Sequence, residues 1–261
     1  MPSPVLLAAH RAELVAADAW KRLGLLVLAT DLTSERDFAR LVPQERAGVY
    51  TARVAFENPT TPANLARMGP RLSAAAEPLR ALEPLDALCY SCTSASVTLG
   101  DEAVRDAVQA TLPGVPVITP SAAARLAFAA LGVRRVAVLT PYLLETARPM
   151  AAYFERHGLD VVRFECLGLD DDRAMARVRH EDIVAAARAV DRPEVEAVFL
   201  SCTALPALGA IAEIEARLGK PVVSSNQASI WAMFHQAGLD ERAAGFGRLF
   251  ELDPPAHGRW T

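Results

Sequence analysis

The chain carries the tripeptide Ser-Cys-Thr twice, each time directly after an apolar run. The first copy follows LDALCY and contains Cys92, and the second follows VEAVFL and contains Cys202, 110 residues later. Two further segments repeat in the same order: GLLVLATD pairs with VAVLTPY at an offset of 111 residues, and VPVITPSAAARLAF pairs with KPVVSSNQASIWAM at an offset of 105. Three ordered matches at nearly constant spacing indicate two similar halves.

Short apolar runs that end in small or polar residues are typical of buried strands, and helical patterns lie between most of them. This alternation, in a chain that is 52% hydrophobic with 6% aromatic residues, predicts an α/β fold with largely parallel sheets. We expect two pseudo-symmetric halves, residues 1–125 and 126–235, with the tail 236–261 able to pack back on the first half. The predicted strands are 22–31, 85–92, 115–120, 134–141, 159–168, 195–202 and 220–225.

Charge and cysteine usage exclude several classes of protein. The net charge is −4, and acidic and basic residues are mixed along the chain, so no nucleic-acid partner is expected. No export signal and no run of about 18 apolar residues is visible, which predicts a cytoplasmic protein without a membrane partner. Four cysteines without a second C-x-x-C motif, and five scattered histidines, predict neither a disulfide framework nor a metal site.

Ligands of parallel α/β sheets bind beyond the carboxyl ends of the strands, where helices begin. We therefore expect Cys92 and Cys202 to face one cleft between the halves. Backbone N–H groups at a helix start can lower a cysteine pKa and can hold a carboxylate, and Thr93, Ser94 and Thr203 would add hydroxyl donors.

The alternative for any buried cysteine is that it packs as a small hydrophobic side chain. That reading suits Cys89 and Cys166, because neither is followed directly by a threonine or serine. The repeated polar context favours a functional role for the other two cysteines.

At this level of detail the chain resembles the aspartate/glutamate racemase superfamily, in the branch of maleate cis-trans isomerase, arylmalonate decarboxylase and, nearest, the ectoine utilisation protein A group. The resemblance covers nearly the whole chain through RLGLLVLATDLTSERDF, SCTSAS, the TPY of 140–142, GLDDDRAMARV and SCTALP. It implies an enzyme without a cofactor, with the active site between two α/β halves that contribute one cysteine each. A homo-oligomer, dimer or tetramer, is expected.

Decarboxylases of this branch keep only the second cysteine, whereas this chain has both. The resemblance therefore favours an isomerase or racemase that acts on a small carboxylic or amino acid through Cys92 and Cys202, by proton transfer or by thiol addition. A decarboxylase and a carboxylate-binding protein without turnover are the alternatives.

The resemblance also implies a substrate-binding set. Tyr142 would hydrogen-bond the substrate carboxylate, and the backbone at Thr93 and Ser94, and at Thr203 and Ala204, would form the cradles. A rim or core aromatic is the alternative for Tyr142.

Asp31 and Asp172 stand where the maleate isomerases carry asparagine. An ionised aspartate can only accept hydrogen bonds, so the pair would suit a substrate ammonium better than a plain dicarboxylate. This would agree with an amino-acid substrate and with ectoine degradation. The alternatives are that Asp31 caps a helix beginning at Leu32 and that Asp172 lies in a solvated loop.

Overall fold

The computed structural model describes residues 3–82 and 84–252. Eight parallel strands form two four-stranded sheets, with the orders β2-β1-β3-β4 and β6-β5-β7-β8. The second order repeats the first with every number raised by four, as the internal repeat requires. The strands are β1 Lys21–Leu28, β2 Ala47–Val54, β3 Ala87–Ser91, β4 Val117–Ile118, β5 Arg135–Thr140, β6 Asp160–Cys166, β7 Ala197–Leu200 and β8 Val222–Ser224.

Helices cover both faces of the sheets, which confirms the predicted α/β class. Their bounds are α1 Ser34–Leu41, α2 Pro62–Ala66, α3 Leu72–Ala76, α4 Thr93–Leu99, α5 Asp101–Gln109, α6 Pro120–Leu131, α7 Leu144–Arg156, α8 Asp172–Met175, α9 His180–Val190, α10 Ile211–Leu218 and α11 Ser225–Ala237. Short 3-10 helices occupy Gly69–Arg71, Glu77–Leu82, Leu208–Ala210 and Arg248–Glu251.

The central strands are the ones that the sequence shows most clearly. Every residue of β3 and β7 is buried, because helices cover both faces of a parallel sheet and leave no polar face. The sequence prediction missed β2, an edge strand whose middle residues are only partly buried. Its sequence AGVYTARV mixes polar and small residues, so it lacks the apolar run that marks the buried strands.

The two sheets are interlocked by helices that pack on the opposite sheet. Helix α11 follows β8 of the second sheet but packs along β3 of the first sheet. Helix α6 follows β4 of the first sheet, and its Phe128 meets Phe199 of β7 edge-to-face, with ring centroids 5.7 Å apart. This exchange brings the carboxyl ends of β3 and β7 against each other.

The tail beyond α11 contacts both parts of the molecule. Arg46 of the first half is 2.8 Å from Asp240, and the guanidinium of Arg40 lies 5.2 Å from the ring centre of Phe246. Gln227 of α11 donates to the Phe246 carbonyl oxygen. The last residues of the predicted tail, 253–261, lie outside the described residues, and the domain boundaries stay a prediction.

Within residues 3–82 and 84–252, the structure contains no helix long and apolar enough to cross a lipid bilayer.

Candidate active site

Both candidate catalytic cysteines lie at carboxyl ends of central strands and are enclosed. Cys92 follows β3 and is the N-cap residue of α4, whereas Cys202 follows β7. Their exposed fractions are 4% and 2%. The sequence analysis expected a helix start at both motifs, but the chain after Cys202 bends, and its next helical turn begins at Leu208.

A hydrogen bond joins the two Ser-Cys-Thr segments, and a second joins the first segment to α11. The hydroxyl of Thr203 donates to the carbonyl oxygen of Ser91 at 3.1 Å, next to Cys92. The hydroxyl of Thr93 donates to Ser225 Oγ, the first residue of α11, at 2.8 Å. These hydroxyls therefore bond within the protein, and the predicted cradle role of both threonines rests on their backbone N–H groups. The first N–H groups of α4 have no partner inside the helix.

Tyr142 lies close to both cysteines. It follows β5, is buried, and its hydroxyl group lies near enough to Cys202 and Ser94 to interact with both side chains. Burial raises the pKa of Tyr142 well above its usual range, and negative charge on Cys202 or Cys92 would raise that pKa further. A neutral phenol in this place donates one hydrogen bond, and a thiolate or a substrate carboxylate can accept it.

The thiol pKa values contradict the sequence-based expectation of activated thiolates. Burial raises the pKa of Cys92 to about 12, and the charge of Asp172 adds to the rise. The same two causes, in the same order, raise the pKa of Cys202. The helix start was expected to lower these values, but desolvation in an enclosed site outweighs it.

Backbone and hydroxyl donors partly offset that rise at both sulfur atoms. The Ala95 N–H and the Ser94 hydroxyl act on Cys92, whose sulfur lies 3.7 Å from Ser94 Oγ. The Ala204 N–H donates to Cys202 Sγ at 3.3 Å. Both sulfur atoms thus have partners that stabilise a thiolate once it forms.

Asp172 begins α8 and reaches the first half of the molecule. Its carboxylate accepts hydrogen bonds from the hydroxyls of Thr30 at 2.7 Å and Thr60 at 3.1 Å. It is buried, and burial raises its pKa above the usual range for aspartate. The solvated-loop alternative is therefore wrong for this residue, and its charge acts on both cysteines.

Asp31 has a different environment. One carboxylate oxygen accepts from the N–H groups of Thr33 and Ser34, both at 2.8 Å, and the other accepts from the Ser34 hydroxyl at 2.7 Å. Asp31 thus holds the start of α1, which begins at Ser34, two residues later than the capping alternative placed it. Burial raises its pKa, and its charge acts on Cys92 and Asp172.

Sequence reasoning missed polar residues that support this region. Thr30 and Thr60 lie in connecting segments with no distinctive motif. Asn226 was detectable in principle, because the internal repeat aligns it with Ser121. Ser121 lies in the first turn of α6, and Asn226 lies in the first turn of α11.

Comparisons with known proteins agree with this architecture. The family model of arylmalonate decarboxylase matches residues 60–250. The arylmalonate decarboxylase of Bordetella bronchiseptica is 40% identical over 141 residues, which span 53% of this chain and 59% of that protein. The maleate isomerase of Nocardia farcinica (strain IFM 10152) is 27% identical over 244 residues, covering 89% of this chain and 96% of that enzyme.

Solved structures show the same fold. A cysteine-to-alanine variant of the maleate isomerase Iso from Pseudomonas putida S16, with maleate, aligns with a TM-score of 0.81 at 27% identity over 88% of this chain and 97% of the other. A mutant of the Nocardia farcinica maleate cis-trans isomerase, which holds a covalent succinylcysteine intermediate, aligns at 0.80 with 24% identity, covering 88% and 98%. The chain therefore belongs to the family of arylmalonate decarboxylase and maleate isomerase, in the aspartate/glutamate racemase superfamily.

Proposed function

We propose that this protein is a cofactor-independent isomerase of a small carboxylic or amino acid and that Cys92 and Cys202 are its catalytic residues. The observation that carries the proposal is the contact between the two Ser-Cys-Thr segments, with Tyr142 close to both thiols. A substrate held there would have one thiol on each side. The maleate isomerase relatives, which match over most of their length, support the same reaction class.

In the proposed reaction the two thiols have different roles: Cys92 adds to the substrate, and Cys202 transfers a proton. In the first step, the Cys92 thiolate, stabilised by the start of α4, adds to one carbon of the substrate double bond. The electron pair of that bond takes a proton from the Cys202 thiol, so that a carbon–carbon single bond and a Cys202 thiolate result. After rotation about the single bond, the Cys202 thiolate removes the proton and the Cys92 thiolate leaves. Atoms and charge balance over the cycle.

The negative charge that develops on the substrate carboxylate during addition needs hydrogen-bond donors. The N–H groups of Thr93 and Ser94, in the first turn of α4, and the Tyr142 hydroxyl group can supply them. The succinylcysteine held by the Nocardia farcinica structure is the kind of adduct that the first step forms. A racemase would use the same two thiols as acid and base on opposite faces of a carbon.

A decarboxylase is the second candidate, because the family model and the 40% identical relative are arylmalonate decarboxylases. In that reaction one thiol, Cys202, would suffice to protonate the intermediate left after loss of carbon dioxide. The retained Cys92 beside it favours the isomerase.

The substrate is proposed to carry a hydrogen-bond donor such as an ammonium group. Asp172 is buried, its charge acts on both thiols, and it accepts hydrogen bonds from the neutral hydroxyls of Thr30 and Thr60. A cation there would gain electrostatic stabilisation, whereas a second carboxylate would be repelled. Ectoine degradation and a homo-oligomeric state also stay predictions.

Incubation in deuterated water tests the reaction class. The protein is mixed separately with maleate, with an arylmalonate and with a panel of small amino acids, and the products are followed by NMR and mass spectrometry. Geometric isomerisation or exchange of the proton next to the carboxylate supports the isomerase, and loss of carbon dioxide supports the decarboxylase. The Cys92→Ala variant separates them, because only the isomerase should lose its activity.

A further inference from the structure

The peptide group between Thr203 and Ala204 makes two hydrogen bonds, one to Cys202 and one to Asn226. Its N–H, that of Ala204, donates to Cys202 Sγ at 3.3 Å. Its carbonyl oxygen, that of Thr203, accepts from Asn226 Nδ2 at 2.9 Å. Since a peptide group is planar, fixing the direction of its C=O also fixes the direction of its N–H.

The side chain of Asn226 is fixed so that its amide nitrogen donates to the Thr203 carbonyl oxygen. It lies in the first turn of α11, is buried, and its amide nitrogen also donates to Asp37 Oδ2 of α1 at 2.8 Å. Among the residues that the structure describes, Asn226 Oδ1 has no hydrogen-bond partner. A flipped amide would set that oxygen against two acceptors, so the donor side must face Thr203 and Asp37.

Asp37, on helix α1 of the first half, accepts the second hydrogen bond of the Asn226 amide. It is buried on α1, and burial raises its pKa to about 6, although the hydrogen bond from Asn226 and the charges of Arg40 and Arg36 oppose that rise. Above that pKa the carboxylate can only accept, so it orients the Asn226 amide. The start of the same helix holds the next carbonyl: the Thr33 hydroxyl donates to Ala204 O at 2.7 Å.

We infer that Asn226, oriented by Asp37, is a positioning residue that aims the Ala204 N–H at the Cys202 sulfur and thereby stabilises its thiolate. The inference deepens the proposed function, since it rests on Cys202 being one of the two catalytic thiols. A hydrogen bond to an ionised group is stronger than one between neutral groups, so its loss is expected to change thiolate reactivity by about tenfold.

Alkylation of the full-length protein by iodoacetamide tests the inference without any substrate. Peptide mass spectrometry at pH 8 gives the labelling rates of Cys202 and Cys92 in one sample, and their ratio cancels a general loosening of the site. We expect Asn226→Ala to lower the Cys202-to-Cys92 ratio about tenfold. Asp37→Asn, which keeps an acceptor for the amide, should retain the ratio. Ser229→Ala, which removes a buried hydroxyl bond on the same helix, is the matched control and should also retain it.

An unchanged or raised ratio in a folded Asn226→Ala protein would overturn the inference, whatever happens to its melting temperature. If that variant does not fold, Asp37→Ala replaces it: a fall of the ratio, smaller than tenfold, supports the inference and an unchanged ratio overturns it. For whichever substrate the deuterated-water experiment identifies, kcat should fall in step with the ratio while KM stays unchanged. Failure of the proposed function would show as absent turnover in the unmodified protein and would leave the labelling result standing.

Discussion

Replacing Asp172 with asparagine is expected to make both active-site thiols more reactive and to admit dicarboxylates. Two unit charges about 8 Å apart at an effective dielectric of about 20 repel by about 2 kcal/mol, which equals about one and a half pKa units. The charge of Asp172 acts on both sulfurs, while its hydrogen bonds go to Thr30 and Thr60, so we take a separation of about 8 Å as the working value. Removing the charge therefore lowers the pKa of both thiols. The thiolate fraction at pH 8 should rise at least tenfold, and a tenfold rise corresponds to about 1.4 kcal/mol.

The asparagine is a close match in shape, because a threonine hydroxyl can rotate and accept from the new amide. The assay is iodoacetamide labelling at pH 8, read for each cysteine by peptide mass spectrometry. The internal control is Cys166, whose raised pKa comes from burial and from Glu165. The control variant is Asp171→Asn, which changes the neighbouring carboxylate that accepts from Asn58 but leaves the buried charge in place.

We expect labelling of Cys92 and Cys202 to accelerate about tenfold in Asp172→Asn, with Cys166 unchanged, and the KM for maleate to fall by a similar factor. Unchanged thiol labelling would show that this carboxyl group is protonated at pH 8, and efficient turnover of maleate by the unmodified protein would show that it does not repel the substrate. Either result would refute the reasoning. Asp31 is left intact, because asparagine there would disturb the three hydrogen bonds that start α1.

Three further outcomes are expected. Cys92→Ser and Cys202→Ser should each reduce isomerisation more than about a thousandfold with nearly unchanged melting temperature, and full activity in both would exclude the two-thiol mechanism. Tyr142→Phe removes one buried donor and should lower kcat about tenfold to a hundredfold, measured against an unchanged circular dichroism spectrum. Asp37→Asn should stabilise the fold above pH 6 by about 3 kcal/mol and leave it unchanged near pH 3, because the raised pKa of this buried carboxyl makes the native protein lose stability as the pH rises from about 4 to 6. Urea unfolding at pH 4, 5 and 7.5 measures this, and a pH-independent difference would contradict it.

The sequence could predict the central strands and the two cysteines because both have local signals. A strand buried on both faces needs an apolar run, and the repeat of Ser-Cys-Thr marks equivalent positions in two halves. The edge strand β2 carries no such signal. The predicted direction of the thiol pKa shifts was wrong, because a sequence shows where a helix starts but not how enclosed a side chain is. Burial and the charge of Asp172 raise both pKa values, and Asp172 is about 80 residues from Cys92 and about 30 residues from Cys202 in the chain.

The interlocked helices explain why the site could not be read from either half alone. The Cys202 segment is held by groups that belong to the first half: the Thr33 hydroxyl on Ala204 O, and Asp37 through Asn226. The Cys92 segment is in turn contacted from the second half, by Ser225 and Tyr142. Each thiol is thus oriented by the opposite sheet, so a movement that separates the sheets would release both sets of donors together.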